Sequence, residues 1–255
     1  MGPSAPPDPS RRPAGRPARK VRPLNAFRTP RWSLVVPLKP LARAKSRLAP
    51  AAGEALRPGL ALAFAQDTVA AALACDAVRD VVVVTDDATA AAALTELGAR
   101  VLADTPAAGL NAALAHGVRT VRSRRPAASV AALNADLPAL RPAELRRVLD
   151  RAAEFPRAFL ADAAGIGTTF LSTAPEVEFL PSFGGPSRIR HMISGAEELL
   201  LELVDSVRQD VDTGDDLRAA FALGVGPHTA ALSPAFARTS APLSPDRPLS
   251  PPGRA

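Results

Sequence analysis

The segment WSLVVPLKPLARAKSRL, residues 32–48, decides the fold prediction. Its apolar run at residues 33–36 has the length and composition of one buried strand. The run leads into a loop with four cations, at Lys39, Arg43, Lys45 and Arg47. In open α/β sheets, ligands bind where loops leave the carboxyl ends of strands. Because four neighbouring positive charges repel one another, we expect an anion such as a polyphosphate here, with a solvated basic loop as the alternative.

Strand and helix patterns alternate from residue 32 onward. The predicted strands are 33–36, 81–84, 100–103, 129–135 and 157–161, and the predicted helices are 56–74, 88–97, 109–121, 142–153, 187–199 and one after residue 213. Residues 200–207 either extend the helix before them or form a strand. The alternation predicts the α/β class, with a mostly parallel twisted sheet and helices on both faces. Since no repeat or second core is visible, we expect one domain over residues 32–231.

The net charge of +6 comes from the two ends of the chain. Residues 1–31 contain eight basic side chains and one aspartate, and residues 232–255 contain three and one, so residues 32–231 carry a net charge of −3. A basic folded surface, the main sign of a nucleic-acid partner, is therefore missing. Both ends are rich in proline with little apolar sequence, so we expect disordered tails over 1–31 and 232–255.

The sequence also bears on location. No stretch is long and apolar enough to predict a membrane span, and the N-terminal residues have no apolar core typical of a signal peptide. The single cysteine, Cys75, has no partner for an internal disulfide. These features predict a cytoplasmic protein without a membrane partner.

Asp136 is the first candidate metal ligand. It follows the predicted strand 129–135, and Pro138 prevents the strand from continuing. A carboxylate at the carboxyl end of a parallel strand lies where ligands bind. The alternative is a helix cap, but Pro142 predicts that the next helix begins several residues later. We therefore favour the metal role.

Asp210 and Asp212 form the second acidic candidate. At positions i and i+2 of an extended stretch, their side chains point the same way, and two close carboxylates repel unless a cation or a proton lies between them. The alternative is the acidic first turn of a helix. That alternative explains Asp215 and Asp216, but it does not require Asp210.

Three separated motifs in this order resemble one known family. They are VPLKPLARAKSRL (36–48), LNADLPAL (133–140) and DVDT (210–213), and the resemblance extends over about residues 32–225. The chain resembles the guanylyltransferases of coenzyme F-420 biosynthesis, which act on 2-phospho-L-lactate or phosphoenolpyruvate. The resemblance implies a single-domain nucleotidyltransferase fold of the glycosyltransferase-A type. It also implies Mg²⁺, GTP as co-substrate and a phosphorylated three-carbon acid as acceptor.

The resemblance also implies roles for individual residues on the donor side. Lys39, with Arg43, Lys45 and Arg47, would hold the phosphates of GTP, and Lys39, Lys45, Arg47 and Asp136 would act in catalysis. Thr85 and Asp86 would border the guanosine pocket, and Asn111 would contact the base. Asp136 would bind Mg²⁺ together with Asp210 or Asp212.

On the acceptor side, the motifs GTT (167–169) and FGGPS (183–187) match the family's acceptor loops. Thr168, Gly184 and Ser187 would receive the acceptor's phosphate and carboxylate. This chain departs from the family pattern because Pro186 precedes Ser187, and proline has no backbone N–H to donate. Of the three histidines, which show no metal-ligand spacing, His191 follows this loop and is a further candidate contact.

The chemistry needs no general base, because a phosphate acceptor is already ionised at neutral pH. Two other functions remain open from the sequence: a related nucleotidyltransferase acting on molybdopterin or a sugar phosphate, and an inactive nucleotide-binding paralogue that uses its basic tail to bind a partner. The choice between phosphoenolpyruvate and 2-phospholactate is also open, although the composition, typical of a GC-rich genome, favours phosphoenolpyruvate. The sequence does not indicate an oligomeric state.

Overall fold

The computed structural model describes Gly2 and residues 31–105 and 107–239. Within these residues seven strands form one sheet: β1 (Trp32–Pro37), β2 (Val78–Val84), β3 (Arg100–Leu102), β4 (Val130–Leu133), β5 (Arg157–Ala161), β6 (Thr168–Thr173) and β7 (Glu197–Glu198). The α-helices of the same residues are α1 (Ala49–Ala52), α2 (Arg57–Ala74), α3 (Ala88–Glu96), α4 (Leu110–Arg124), α5 (Pro142–Ala152), α6 (Ser187–Ile193), α7 (Asp205–Arg208), α8 (Gly214–Leu223) and α9 (Pro227–Thr239). Two short 3₁₀ helices, Leu41–Arg43 and Ser46–Leu48, lie between β1 and α1.

The strand order is β3-β2-β1-β4-β6-β5-β7. Strands β3, β2, β1 and β4 run parallel, β6 runs antiparallel to both of its neighbours, and β7 pairs parallel with β5. The chain adds β2 and β3 on one side of β1 and then crosses to place β4 on the other side. The strand order therefore reverses between β1 and β4, and ligands of open α/β sheets bind at the carboxyl ends of the strands at such a point.

The sheet is buried on both faces, as the run of four valines in β2 predicts. Leu34 and Val36 of β1 pack in the cluster that α2 and α5 cover, whereas Val35 packs in the cluster that α4 covers. Helix α4 approaches β1 so closely that a Cβ at Gly117 would lie 2.5 Å from Val35 Cγ1. The predicted α/β class, with a mostly parallel sheet and helices on both faces, is confirmed.

The prediction after residue 162 needs three corrections. Strand β6 is not predicted, because Gly165 and Gly167 suggest a long loop. Its buried hydroxyl groups differ in their contacts: Ser172 Oγ donates to Ala158 O at 3.1 Å, whereas Thr169 Oγ1 has no hydrogen bond partner among the described residues. The helix predicted over 187–199 ends at Ile193, because Gly195 adopts a left-handed φ of 80° that terminates it. Residues 200–207 form neither a helical extension nor a strand, and contain only the start of α7.

Helix α9 continues past the predicted tail boundary at residue 232 and extends to Thr239, and the division of the chain into one domain and two tails stays a prediction. The buried carboxylate of Asp67, on α2, accepts hydrogen bonds from the backbone N–H groups of His228 (3.0 Å) and Thr229 (2.8 Å), and so caps the first turn of α9. Most of the two predicted tails, residues 1–31 and 232–255, lies outside the described residues. Among the helices described, none combines the length and the apolar character that crossing a membrane requires.

Candidate functional site

A cleft of about 610 Å³ lies at the carboxyl ends of β1 and β4. Its walls are the basic loop after β1, the loops that precede β6 and α6, and the acidic segment before α8. Ten of the thirteen predicted site residues line it: Lys39, Arg43, Lys45, Arg47, Asp136, Thr168, Gly184, Ser187, Asp210 and Asp212. Residues that are distant in sequence therefore meet at the place where the strand order reverses.

Lys45 occupies the centre of the charged half of the cleft. Its backbone has a φ of 56°, in the left-handed region that residues with a Cβ rarely adopt. The Nζ atom donates hydrogen bonds to the Asp136 carboxylate and, at 2.8 Å, to Asp212 Oδ1. Burial alone would lower the pKa of Lys45, but these two carboxylates outweigh it and hold the pKa above its ordinary value. The ammonium group is therefore charged and fixed between the two acids.

The two acidic segments lie side by side. The backbone N–H of Val211 donates to the carbonyl oxygen of Asp136 at 3.1 Å, so Asp210 and Asp212 come next to the end of β4. Burial, and then the negative charges of Asp136, Asp212 and Asp162, raise the pKa of Asp210 to about 8. The cluster thus holds more negative charge than Lys45 alone compensates.

The remaining cations of the basic loop are exposed at the entrance of the cleft. Among the described residues, Lys39, Arg43 and Arg47 form no ion pair, whereas Lys45 forms two. Burial would raise the pKa of Asp212, but the positive charges of Lys45, Arg47 and Lys39 lower it. Lys39 and Arg47 therefore act electrostatically on Asp212, and both residues line the cleft.

The carboxylates fit a divalent cation only in part. The Oδ1 atom of Asp136 is buried and has no hydrogen bond partner, which leaves one carboxylate oxygen available as a ligand. In the described part of the chain, however, no group of three or more His, Cys, Asp or Glu side chains is arranged to hold a metal ion. This is compatible with Mg²⁺, because protein sites commonly bind it through one or two carboxylates plus substrate phosphates and water. The metal-ligand roles of Asp136, Asp210 and Asp212 stay predictions.

The other half of the cleft, here called the uncharged half, presents hydroxyl and backbone groups, and its one charged lining residue among those described, Asp162, has its carboxylate hydrogen-bonded to backbone N–H groups. Thr168, at the start of β6, and Ser187, at the start of α6, are both buried, and Gly184 and Gly185 between them are exposed with φ values of 93° and 50°. Among the described residues, the N–H groups of these two glycines form no hydrogen bond, whereas Ser187 N–H donates to Gly185 O at 2.7 Å. Hydroxyl groups and free N–H groups suit an anionic ligand.

His191 lies beneath this uncharged half and not on its surface. Its ring is fully buried, with Nδ1 3.0 Å from Thr168 Oγ1, and Nε2 accepts a hydrogen bond from the backbone N–H of Ser182 at 2.9 Å. Burial, followed by the positive charges of Arg190 and Arg157, lowers the pKa of His191 to about 4. The ring is therefore neutral near pH 7, and it reaches the cleft only through Thr168.

Three predicted residues do not line the cleft. Thr85 is buried and its hydroxyl accepts from Asp87 N–H at 3.2 Å, and Asp86 Oδ1 accepts from Asp104 N–H at 2.8 Å. The side-chain amide of Asn111 both donates to Phe183 O (3.2 Å) and accepts from Phe183 N–H (2.8 Å). In this arrangement these side chains brace loops, and their predicted contacts with guanosine stay predictions.

Asp162 is a site residue that the sequence analysis missed. It lines the cleft, and its carboxylate accepts from the N–H groups of Ile166 (2.9 Å) and Gly167 (2.7 Å), which shapes the loop leading into β6. A Cβ at Gly167 would collide with Asp162 Oδ2. The available signal was the same as for Asp136, an aspartate directly after a predicted strand.

The fold and this cleft, with cations facing carboxylates at the point of strand reversal, define a nucleotidyltransferase. The chain belongs to the guanylyl transferase CofC-like family, whose model matches residues 32–233. It is 70% identical to the phosphoenolpyruvate guanylyltransferase of Streptomyces coelicolor over 202 residues, which cover 79% of this chain and 95% of that protein. It is 62% identical to the enzyme of the same name from Thermomonospora curvata, over 80% of this chain and 91% of that one.

Solved structures agree on the fold. A nucleotidyl transferase from Methanothermobacter matches with a TM-score of 0.54 and 22% identity, over 75% of this chain and 97% of that chain. A CMP:2-keto-3-deoxy-manno-octonic acid synthetase matches with a TM-score of 0.51 and 17% identity, over 76% of this chain and 98% of that chain. The family that the sequence resembles and the nucleotidyltransferase fold are therefore both confirmed.

Proposed function

We propose that this protein transfers GMP from GTP to the phosphate group of phosphoenolpyruvate, with release of pyrophosphate and with Mg²⁺ as the metal. The observation that carries the proposal is the cleft, in which a cationic loop and an acidic cluster face an uncharged pocket with hydroxyl groups. The relatives named phosphoenolpyruvate guanylyltransferase, at 58–72% identity, support the choice of nucleotide and acceptor.

The cations of the basic loop fit the donor triphosphate. Lys39, Arg43 and Arg47 are exposed at the cleft and have no carboxylate partner among the described residues, so their charges are available to phosphate oxygens. Pyrophosphate leaves as a highly charged group, and fixed positive charges stabilise the negative charge that develops on it. These residues would both hold GTP and promote departure of its β- and γ-phosphates.

The acidic cluster fits the metal. Asp136, through its unpartnered Oδ1, and Asp212 or Asp210 would hold the ion, and Lys45 would release its hold on them to do so. A bound Mg²⁺ would neutralise phosphate charge and orient the α-phosphate. The chain's own contribution is to keep these carboxylates at the carboxyl end of β4, beside the entrance for the triphosphate.

The uncharged pocket fits the acceptor. A phosphate monoester is ionised at neutral pH, so its oxygen can attack the α-phosphorus of GTP without a general base. The bond from phosphate oxygen to α-phosphorus forms as the bond from α-phosphorus to the bridging oxygen of pyrophosphate breaks. What the protein must supply is alignment and charge neutralisation. His191 agrees with this, because its pKa of about 4 makes the ring a weak base and its Nε2 already accepts a hydrogen bond from Ser182 N–H.

The proposal is tested by measuring pyrophosphate release from GTP and Mg²⁺ with phosphoenolpyruvate or with 2-phospho-L-lactate as acceptor. We expect release with phosphoenolpyruvate, a product mass equal to acceptor plus GMP, and little release when ATP or CTP replaces GTP. Preference for 2-phospholactate would correct the acceptor and leave the class of reaction intact. Absence of release with either acceptor, from protein that is folded by circular dichroism, would contradict the proposal.

A further inference from the structure

The buried ring of His191 joins the two elements that form the uncharged pocket. One ring nitrogen faces Thr168 on β6, and the other faces Ser182, two residues before Gly184. The rings of Phe159 and Phe183 pack against it, with centroids 5.7 Å and 5.1 Å away. The ring therefore has a single orientation, enclosed on all sides by protein.

The contact with Ser182 determines which nitrogen carries the proton. Because the backbone N–H of Ser182 donates to Nε2 at 2.9 Å, Nε2 has no hydrogen of its own. A neutral imidazole has one N–H, so the hydrogen must be on Nδ1. A protonated ring would place a second N–H against that of Ser182, in addition to burying a charge.

The proton on Nδ1 determines how the hydroxyl group of Thr168 is used. The Nδ1–H donates to Thr168 Oγ1 at 3.0 Å, so the oxygen is the acceptor of that hydrogen bond. The hydroxyl's own hydrogen then has to be donated elsewhere, and among the described residues it has no acceptor. Since Thr168 lines the cleft, an oxygen of a ligand bound there can serve as the missing acceptor.

We propose that His191 is a positioning residue that makes Thr168 a hydrogen bond donor to an anionic oxygen of the acceptor and holds β6 in register with the loop at residues 182–187. The inference rests on the proposed function, since it takes the ligand of this pocket to be a phosphorylated carboxylic acid. A free threonine hydroxyl can either donate or accept, so it does not by itself distinguish an anion from a neutral group. The Nδ1–H of His191 occupies one of the two acceptor lone pairs of Thr168 Oγ1, and the hydroxyl hydrogen has no acceptor among the described residues. The hydroxyl group is therefore oriented to donate to a ligand, and this favours an anion.

Kinetics with four variants test the inference. Thr168→Val removes the hydroxyl and His191→Phe removes both ring nitrogens, so each should raise KM for phosphoenolpyruvate about tenfold or more and change KM for GTP less than twofold. The double variant should be no worse than the more severe single variant, because both remove the same interaction. His191→Asn, which keeps an N–H near the position of Nδ1, should recover part of the loss.

The inference would be overturned if His191→Phe had a KM for phosphoenolpyruvate within twofold of the wild-type value. It would also be overturned if the increase in KM of the double variant equalled the product of the increases in the two single variants. Nitrogen NMR of ¹⁵N-histidine-labelled wild-type protein gives a readout that needs no activity, with the signals of His191 assigned by comparison with His191→Asn. We expect a neutral ring protonated at Nδ1 at pH 7, and protonation at Nε2 would also overturn the inference. Wild-type protein with the expected NMR signals but no transfer to any acceptor would instead reject the proposed function.

Discussion

Lys45 and Asp136 are joined by a hydrogen-bonded ion pair in the floor of the cleft, and the two side chains are 12% and 19% exposed. The lysine follows β1 and the aspartate follows β4, so the ion pair joins the loops after the two neighbouring strands at which the strand order reverses. One carboxylate oxygen of Asp136 is hydrogen-bonded to Lys45, and the other has no hydrogen bond partner. A cation that enters the cleft therefore competes with Lys45 for only one of the two carboxylate oxygens of Asp136.

Replacing Asp136 by Asn should lower kcat for pyrophosphate release by about 100-fold or more. The change removes a proposed metal ligand, whose stabilisation of transition-state charge is worth several kcal/mol, and it also removes a partner of the buried Lys45 ammonium. The matched control is Asp205→Asn, an exposed aspartate in the first turn of α7 that does not line the cleft. Turnover of Asp136→Asn equal to that of the control would remove Asp136 from the mechanism.

Lys45→Met should strengthen binding of Mn²⁺, used as a spectroscopic probe, by roughly tenfold in the absence of nucleotide, about 1.4 kcal/mol. The substitution removes the ammonium group that is hydrogen-bonded to both Asp136 and Asp212. The repulsion between the two carboxylates can then be relieved only by a cation bound from solution. The measurement is electron paramagnetic resonance of free Mn²⁺. Arg43→Met, which removes an exposed charge from the same loop, should change the affinity much less, and equal changes in both variants would argue against a shared cation position.

Gly167→Ala should raise KM for the acceptor and lower stability. Its Cβ would collide with Asp162 Oδ2 and disturb the two hydrogen bonds that shape the loop before Thr168. The matched control is Gly59→Ala in α2, where a Cβ meets nothing within 4 Å. That control should stabilise the protein by about 0.4–1 kcal/mol in urea unfolding, because alanine loses less backbone freedom. If Gly167→Ala had the stability and the acceptor KM of the wild type, the prediction would be contradicted, because the loop before Thr168 would then accommodate the Cβ.

His191 should make folding stability depend on pH between about 4 and 6.5. The folded-state pKa of about 4 lies below the ordinary value of 6.5, so in this window the unfolded chain binds more protons. The stabilisation is complete above pH 6.5 and is lost as the pH falls towards 4, with a slope of at most about 1.4 kcal/mol per pH unit.

The comparison of wild type with His191→Phe isolates this contribution, because the carboxylates titrate in both proteins and the phenylalanine does not. We expect the free energy of urea unfolding to fall more steeply with decreasing pH in the wild type. Parallel curves for the two proteins would show that His191 titrates normally in the folded state.

Local sequence patterns were sufficient for the first half of the fold. The valine run of β2 and the periodic apolar residues of α2 and α5 are continuous in sequence, so each element could be predicted from its own residues. Strand β6 could not be predicted in this way. Its threonines and serine are buried because β4 and β5 lie on either side, and that environment is not encoded within the segment.

The same distinction applies to the site. The sequence by itself determined which residue types were available, namely a cationic loop after the first strand and aspartates at strand ends, and these carried the family resemblance. Only the tertiary structure decided that Lys45 pairs with Asp136 and Asp212, that Asn111 is hydrogen-bonded to Phe183, and that His191 contacts Thr168. Hydrogen bonds have narrow limits of distance and angle, so they depend on how distant segments pack, which no local pattern specifies.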